Sequence, residues 1–267
     1  MRTQTAPSDD GGVIMSETGV ADRGGADPVP EDEAQPACYA PGTRIATPTG
    51  EIAIEHIEAG TIVLTASGAH RRVIWTGKRS LRLDRHKRPA DVQPIRIHAH
   101  AFGPGRPARD LLVSPDHAIF DDQSGPPALI PARYLLNDIT IVQERMAHIT
   151  WHHFELKTHD VVLAEGLPSE TYLDIGNRHS FENNGTLILA MPNFARTSRE
   201  SGGYAPLVTK GARLEAMRIA LDEEGLRALD EAASTAEAEA ASPRQHASAS
   251  ATVHRLAIAH QSAWHRP

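Results

Sequence analysis

From Thr43 to Gly166 the chain is a succession of short apolar runs of about four to eight residues, most of them bounded by Gly, Pro or Asp. The stretch T-R-I-A-T-P-T-G-E-I-A-I-E-H-I holds two alternating runs around the turn signal Pro48-Thr49-Gly50. Next, T-I-V-L-T-A-S-G-A-H-R-R-V-I-W-T-G repeats the arrangement around Ser67-Gly68. Further runs follow in Q-P-I-R-I-H-A-H, R-D-L-L-V-S-P-D-H-A-I-F, P-A-L-I-P-A, I-T-I-V-Q-E, I-T-W-H-H-F-E-L and D-V-V-L-A-E-G. Period-two patterns this short, rich in β-branched residues, predict strands joined by tight turns. The fold class expected is therefore all-β with antiparallel pairing, not alternating strand and helix. Within this body only P-A-R-Y-L-L-N, from Pro131 to Asn137, predicts a helical turn.

The flanks have a different texture. Residues 1–37 contain no aromatic residue, five Gly and four Pro, and eight acidic groups against Arg2 and Arg23. Such a segment cannot bury enough apolar surface to offset its ordering entropy, so it is expected to be disordered. It supplies most of the net charge of −7, which leaves the rest near neutral and without a basic patch for nucleic acid. After about Asn183, K-G-A-R-L-E-A-M-R-I-A-L-D-E-E-G-L-R-A-L places Leu214, Met217, Ile219 and Leu221 at roughly helical intervals. The divisions expected are an acidic segment over 1–37, a strand-rich domain over 38–182, a partly helical extension over 183–230 and a flexible Ala/Ser-rich tail over 231–267. No run approaches the roughly 20 apolar residues of a membrane helix. The first residues lack the apolar core of a secretory signal, so a cytoplasmic location is the default, with Met15 an alternative start.

One cysteine, Cys38, stands at the boundary between the acidic segment and the strand-rich body. A single cysteine cannot make an intrachain disulfide or a thiolate-rich zinc site. A free thiol is only a few per cent ionised at neutral pH, so a reactive Cys38 needs a base or a positive neighbour. Two histidine-bearing stretches could supply the base: Ser114-Pro115-Asp116-His117, after Leu111-Leu112-Val113, and His159-Asp160, between two strand-like runs. With 15 His in the chain, a metal-dependent hydrolase is a competing class, its ligands drawn from His98 and His100 or from His152 and His153. No H-E-x-x-H helix supports it, and no metal or other cofactor is expected.

The run from Cys38 to about Gly166 resembles the Hint family, the fold shared by Hedgehog autoprocessing domains and inteins, and in particular its bacterial members. The opening C-Y-A-P-G-T-R-I-A-T-P-T-G-E-I-A-I-E-H-I-E-A-G-T-I-V-L-T is similar to the family's first block, with Gly60-Thr61-Ile62-Val63 as its second strand. V-S-P-D-H resembles the block usually written T-x-x-H, and H-F-E-L-K-T-H-D-V-V-L-A-E-G the block near the domain's end. The resemblance implies a horseshoe of antiparallel strands. It also implies a single-turnover, autocatalytic activity in which Cys38 attacks the carbonyl of Ala37, the peptide bond becoming a thioester by an N–S acyl shift. A thiol on the residue that owns the scissile nitrogen reaches that carbonyl through a five-membered ring, so proximity replaces a bimolecular encounter.

In the same resemblance His117, an imidazole titrating near neutrality, polarises or protonates the nitrogen of Cys38. Ser114, where the family usually has Thr, holds the scissile peptide. His159 lies beside the thiol as base or orienter, and Asp160 tunes it. Inteins end in His-Asn before Cys, Ser or Thr; no such triplet occurs here, so cleavage at Ala37–Cys38 without splicing is the activity implied. The substrate is then the chain's own N-terminal segment, and the resolving partner water or a small nucleophile, with no nucleic acid or membrane involved. The alternative is a Hint fold kept as a silent binding or structural module.

Overall fold

The computed structural model describes residues 36–182 and 202–241. Most of the acidic segment, the stretch 183–201 and the end of the Ala/Ser-rich tail lie outside the described residues. Those described form twelve strands, four single 3-10 turns and one long helix. The strands are β1 (Arg44–Thr47), β2 (Gly50–Ala53), β3 (Ile62–Leu64), β4 (His70–Arg82), β5 (Ile95–Ile97), β6 (Leu111–Val113), β7 (Ala118–Asp121), β8 (Ala128–Pro131), β9 (Ile141–Gln143), β10 (His148–Leu156), β11 (Val161–Ala164) and β12 (Leu167–Glu170). They make a six-stranded sheet in the order β2-β1-β11-β12-β7-β8 and two three-stranded sheets, β10-β4-β3 and β6-β5-β9. Neighbours within these sheets pair antiparallel. The all-β class expected from the short runs is the class observed.

Turn chemistry accounts for the tight connections. Thr47 pairs with Gly50, so Pro48-Thr49 is the whole loop of the first hairpin. Gly50 has φ +122°, a conformation that side chains with a Cβ rarely adopt. The Pro131–Asn137 stretch holds the expected helical turn, at Ala132–Tyr134. Strand β12 was not apparent in L-P-S-E, where proline and two polar residues argue against a strand, yet it pairs fully with β11.

Tyr39 stitches the two small sheets together. Its N–H donates to the His152 carbonyl (2.8 Å) and its carbonyl accepts from the His152 N–H (2.9 Å), while its other edge bridges Val113 of β6. The first residues of the fold are thereby held between β6 and β10. A large apolar cluster runs from Tyr39 and Ile45 through Ile95, Val113 and Phe154. A second gathers around Cys38, with Leu83, Val92, Trp151, Tyr172 and Phe181. Gly77 in β4 permits this second cluster, because a Cβ there would collide with the Trp75 and Phe181 rings.

Helix α1 (Ala212–Ala241) docks by its first turns. Leu214, Met217 and Leu221 join the main cluster, each buried side chain contributing about 1.5–3 kcal/mol. Arg213 anchors the same end by donating to the Asp121 carboxylate. Ile219, expected on this buried face, is instead 59% exposed, because it falls off the three-and-seven spacing of the other three. The helix also runs to Ala241, into the stretch read as a flexible tail, where alternating Ala and Glu are strong helix formers. Among the described residues no helix is long and apolar enough to cross a membrane.

Candidate active site around Cys38

Ser114-Pro115-Asp116-His117 forms the turn between β6 and β7, closed by the His117 N–H donating to the Ser114 carbonyl (3.0 Å). Arg133, in the 3-10 turn that follows β8, clamps it from outside. The Arg133 N–H donates to the Pro115 carbonyl, and the Arg133 guanidinium pairs with the Asp116 carboxylate at 2.7 Å. The motif's Pro and Asp are thus structural, and they fix where the residues at its two ends point.

At the first end, the Ser114 side chain is bound to the chain entering the fold. The Cys38 N–H donates to Ser114 Oγ (2.8 Å), and the Ser114 hydroxyl donates to the Pro36 carbonyl (3.1 Å). The Ser114 N–H donates in turn to the Cys38 carbonyl (3.0 Å). One side chain therefore holds the nitrogen of the Ala37–Cys38 peptide and the carbonyl of the residue before Ala37.

Cys38 itself is buried. Burial pushes its thiol far above the ordinary range, and the nearby Arg79 charge pulls it part of the way back. Arg79, Val92, Ser114, Pro36 and Trp151 line a cavity of about 10 Å³ with Cys38. Arg79 and Trp151 arrive there as a cross-strand pair of β4 and β10.

At the second end, His117 is fully buried, and neither ring nitrogen has a hydrogen-bond partner among the described residues. Its ring lies 4.2 Å from that of Tyr39 and 5.3 Å from that of His153, centre to centre. Burial lowers its pKa to about 4, partly offset by the charge of Glu170 and deepened by His159. The near-neutral titration expected for it is therefore corrected: it is uncharged at pH 7. Nor is it bonded to the Cys38 nitrogen, which Ser114 occupies. His153 is as deeply buried, its ring nitrogens equally without partners among the described residues, and burial again favours the neutral ring.

His159 and Asp160 are placed differently from the expectation. His159 does not line the thiol's cavity; its Nδ1 accepts from the Tyr204 N–H (3.0 Å) and its Nε2 faces Glu170 at 3.4 Å. With Nδ1 accepting, Nε2 is the ring nitrogen left to donate, toward that carboxylate. Glu170 also accepts the Ala118 N–H (2.8 Å), so it joins His159 to the strand that follows His117. Asp160 caps its neighbour, accepting from the Val161 N–H (2.8 Å), and faces Arg71 at 3.5 Å. Its role is in the strand entry, not beside Cys38.

Arg79, Glu170 and Tyr39 were not singled out in the sequence, and His153 was considered there only as a metal ligand. Tyr39 alone had a signal, its place directly after Cys38; its hydroxyl contacts Ser169 (2.7 Å) and donates to the Glu170 carbonyl (3.1 Å). β5 ends at Ile97, His100 has φ +66° and accepts from the Gly105 N–H, and His98 contacts Asp110. Among the described residues no three His, Cys, Asp or Glu side chains are grouped to hold a metal ion.

The family model described as the Hint domain matches residues 37–176, so it begins one residue before Cys38 and takes in every residue of the site except Pro36 and Tyr204. The chain belongs to the Hint family. Its Hint domain is similar in fold to solved structures that include the MchDnaB-1 intein (13% identity, TM-score 0.35, 49% of this chain and 98% of that one). Others are the gp41-1 intein (16%, 0.37, 51% and 98%) and a bacterial intein-like domain from Clostridium thermocellum (15%, 0.36, 50% and 97%). No curated protein matches it. The family is one of self-processing domains, and in this Hint domain Ser114, the first residue of the S-P-D-H turn, is bonded to the nitrogen of the Ala37–Cys38 peptide.

Proposed function

We propose that the Hint domain cleaves its own chain between Ala37 and Cys38. Cys38 Sγ attacks the Ala37 carbonyl carbon, the C–N bond breaks, and the thiol's proton ends on the freed amine of Cys38, leaving Ala37 as a thioester. The observation that carries this reading is the Ser114 hydroxyl, which grips the scissile nitrogen and the Pro36 carbonyl at once. That grip fixes the peptide against the thiol that is to attack it. The reaction requires no net proton uptake, because one proton moves from sulfur to nitrogen. A neutral His117 suits that task as a shuttle that accepts before it donates. At pH 7, about three units above its pKa, roughly one ring in a thousand would stand charged as a ready-made acid. No His-Asn pair exists in the chain to continue toward splicing, so the reading ends at cleavage.

A second reading, a Hint fold kept without turnover, draws on one specific observation: thiol and imidazole are both held neutral and are not bonded to one another. Intact mass spectrometry of the full-length chain and of Cys38→Ala, with and without hydroxylamine, separates the two. Loss of residues 1–37 from the wild type alone is the expected result. A wild-type chain that stays whole under hydroxylamine would establish the silent module instead.

A further inference from the structure

The thioester must be resolved by some nucleophile, and the shape of the site limits which. Cys38 lines a small cavity together with Val92 and Trp151, both 3% exposed, and with Pro36 and Pro115. Its volume of about 10 Å³ is close to the least that holds one water. A water held in a cavity needs two to four polar partners. Two polar side chains line this one, the Arg79 guanidinium and Ser114, together with the sulfur itself. Arg79 is 9% exposed and permanently charged, an arrangement that a purely apolar pocket would not require.

We propose that this cavity is the acceptor subsite of the reaction, that it admits water and excludes larger thiols and amines, and that Arg79 steadies the charge that develops beside it. This rests on the autocleavage reading. In the step, the water oxygen bonds to the Ala37 carbonyl carbon and the C–S bond breaks. One water proton passes to the Cys38 sulfur, and the other leaves with the new carboxyl group to solvent. Arg79, which lines the same cavity and whose charge already acts on the Cys38 thiol, steadies the sulfur as it leaves with its electron pair, where a fixed cation is worth most because the site is buried. Its pull on the Cys38 thiol toward ionisation has the same origin. Val92 and Trp151 set the specificity: they fill the space that the carbon chain of a larger nucleophile would need.

The test uses the full-length chain in water enriched in oxygen-18, with and without dithiothreitol. One heavy oxygen in the carboxylate of Ala37 on the released peptide is expected, at a rate that dithiothreitol leaves within twofold. Val92→Ala, a mild truncation, should make cleavage thiol-dependent by about tenfold, equivalent to roughly 1.4 kcal/mol of barrier. Trp151→Ala should do so more strongly where it folds. Arg79→Gln should slow the labelled release, and Arg79→Lys should recover much of it. Release from the wild type without the label, or in proportion to dithiothreitol, overturns the water subsite and leaves autocleavage standing. Absence of release with or without thiol overturns both.

Discussion

Ser114 and His117 stand three residues apart in one clamped turn, yet their surroundings are opposite. Ser114 uses its hydroxyl on both sides of a hydrogen-bonded peptide, whereas His117 has two buried nitrogens with no partner among the described residues. A buried polar group without a partner costs about 1–3 kcal/mol. On the autocleavage reading proposed above, the difference separates an end that holds from an end that acts. A substrate peptide is positioned best by bonds already made. A group that takes and returns a proton is most useful when no standing bond occupies its nitrogens, close to a fixed ring such as Tyr39. The turn is rigid because Asp116 and Arg133 hold it, so the unpaired end is not a consequence of slack.

The largest effect that could break this contrast comes from His117→Phe. Phenylalanine keeps a ring against Tyr39 and His153 and forfeits no hydrogen bond in the resting state. Losing the proton carrier should nevertheless slow cleavage by about 10²- to 10⁴-fold, the usual range for general acid–base catalysis. Time courses of intact mass read this directly. A rate within threefold of wild type would mean that the Ser114 grip and the thiol suffice, and the division of labour would collapse.

The holding end gives a smaller effect. Ser114→Ala leaves the Cys38 N–H and the Pro36 carbonyl buried without the hydroxyl, at a cost of about 1–3 kcal/mol. Cleavage should fall by roughly 10- to 100-fold, with a lower urea midpoint in a Cys38→Ala background, where the chain stays whole. Ser114→Thr preserves the hydroxyl and should stay within a few-fold of wild type. Equal losses for Ala and Thr would show that packing at this 2% exposed position matters and the hydrogen bonds do not.

How much of this was legible beforehand follows from the physics of each residue. Strand periodicity lies in the chain itself, so β1 to β11 were readable, and so was the turn carrying Ser114 and His117. Partners across a sheet are not local. Arg79 sits in K-R-S-L-R, which reads as a solvated edge, and only its pairing with Trp151 shows that it lies against the thiol. His152 and His153 are neighbours, and the alternation of β10 leaves one half-buried and the other wholly buried. Glu170 hid in L-P-S-E, where proline masks a strand, although it ties His159 to the segment after His117. The expectation of His159 beside the thiol failed for the same reason: rank order along a chain does not give depth within a core.

The smallest effect concerns stability, and it sharpens the contrast without any turnover. His117 has a folded pKa of about 4 against the usual 6.5, so between those values the unfolded chain binds more protons than the folded one. Stability must then rise with pH across that window and fall as pH drops through it. From pH 7.5 to 5.5 the loss from His117 alone is about 1.3 kcal/mol, from 1.36 kcal/mol per pH unit below 6.5. His153 acts in the same direction, and Ser114 contributes nothing to the slope. Urea unfolding at the two pH values, with Cys38→Ala as background to keep the chain whole, should therefore show a shallower pH dependence in His117→Phe than in its parent. An unchanged slope would mean that His117 finds a proton partner in solution, and that its end of the turn is tied down as firmly as the serine end.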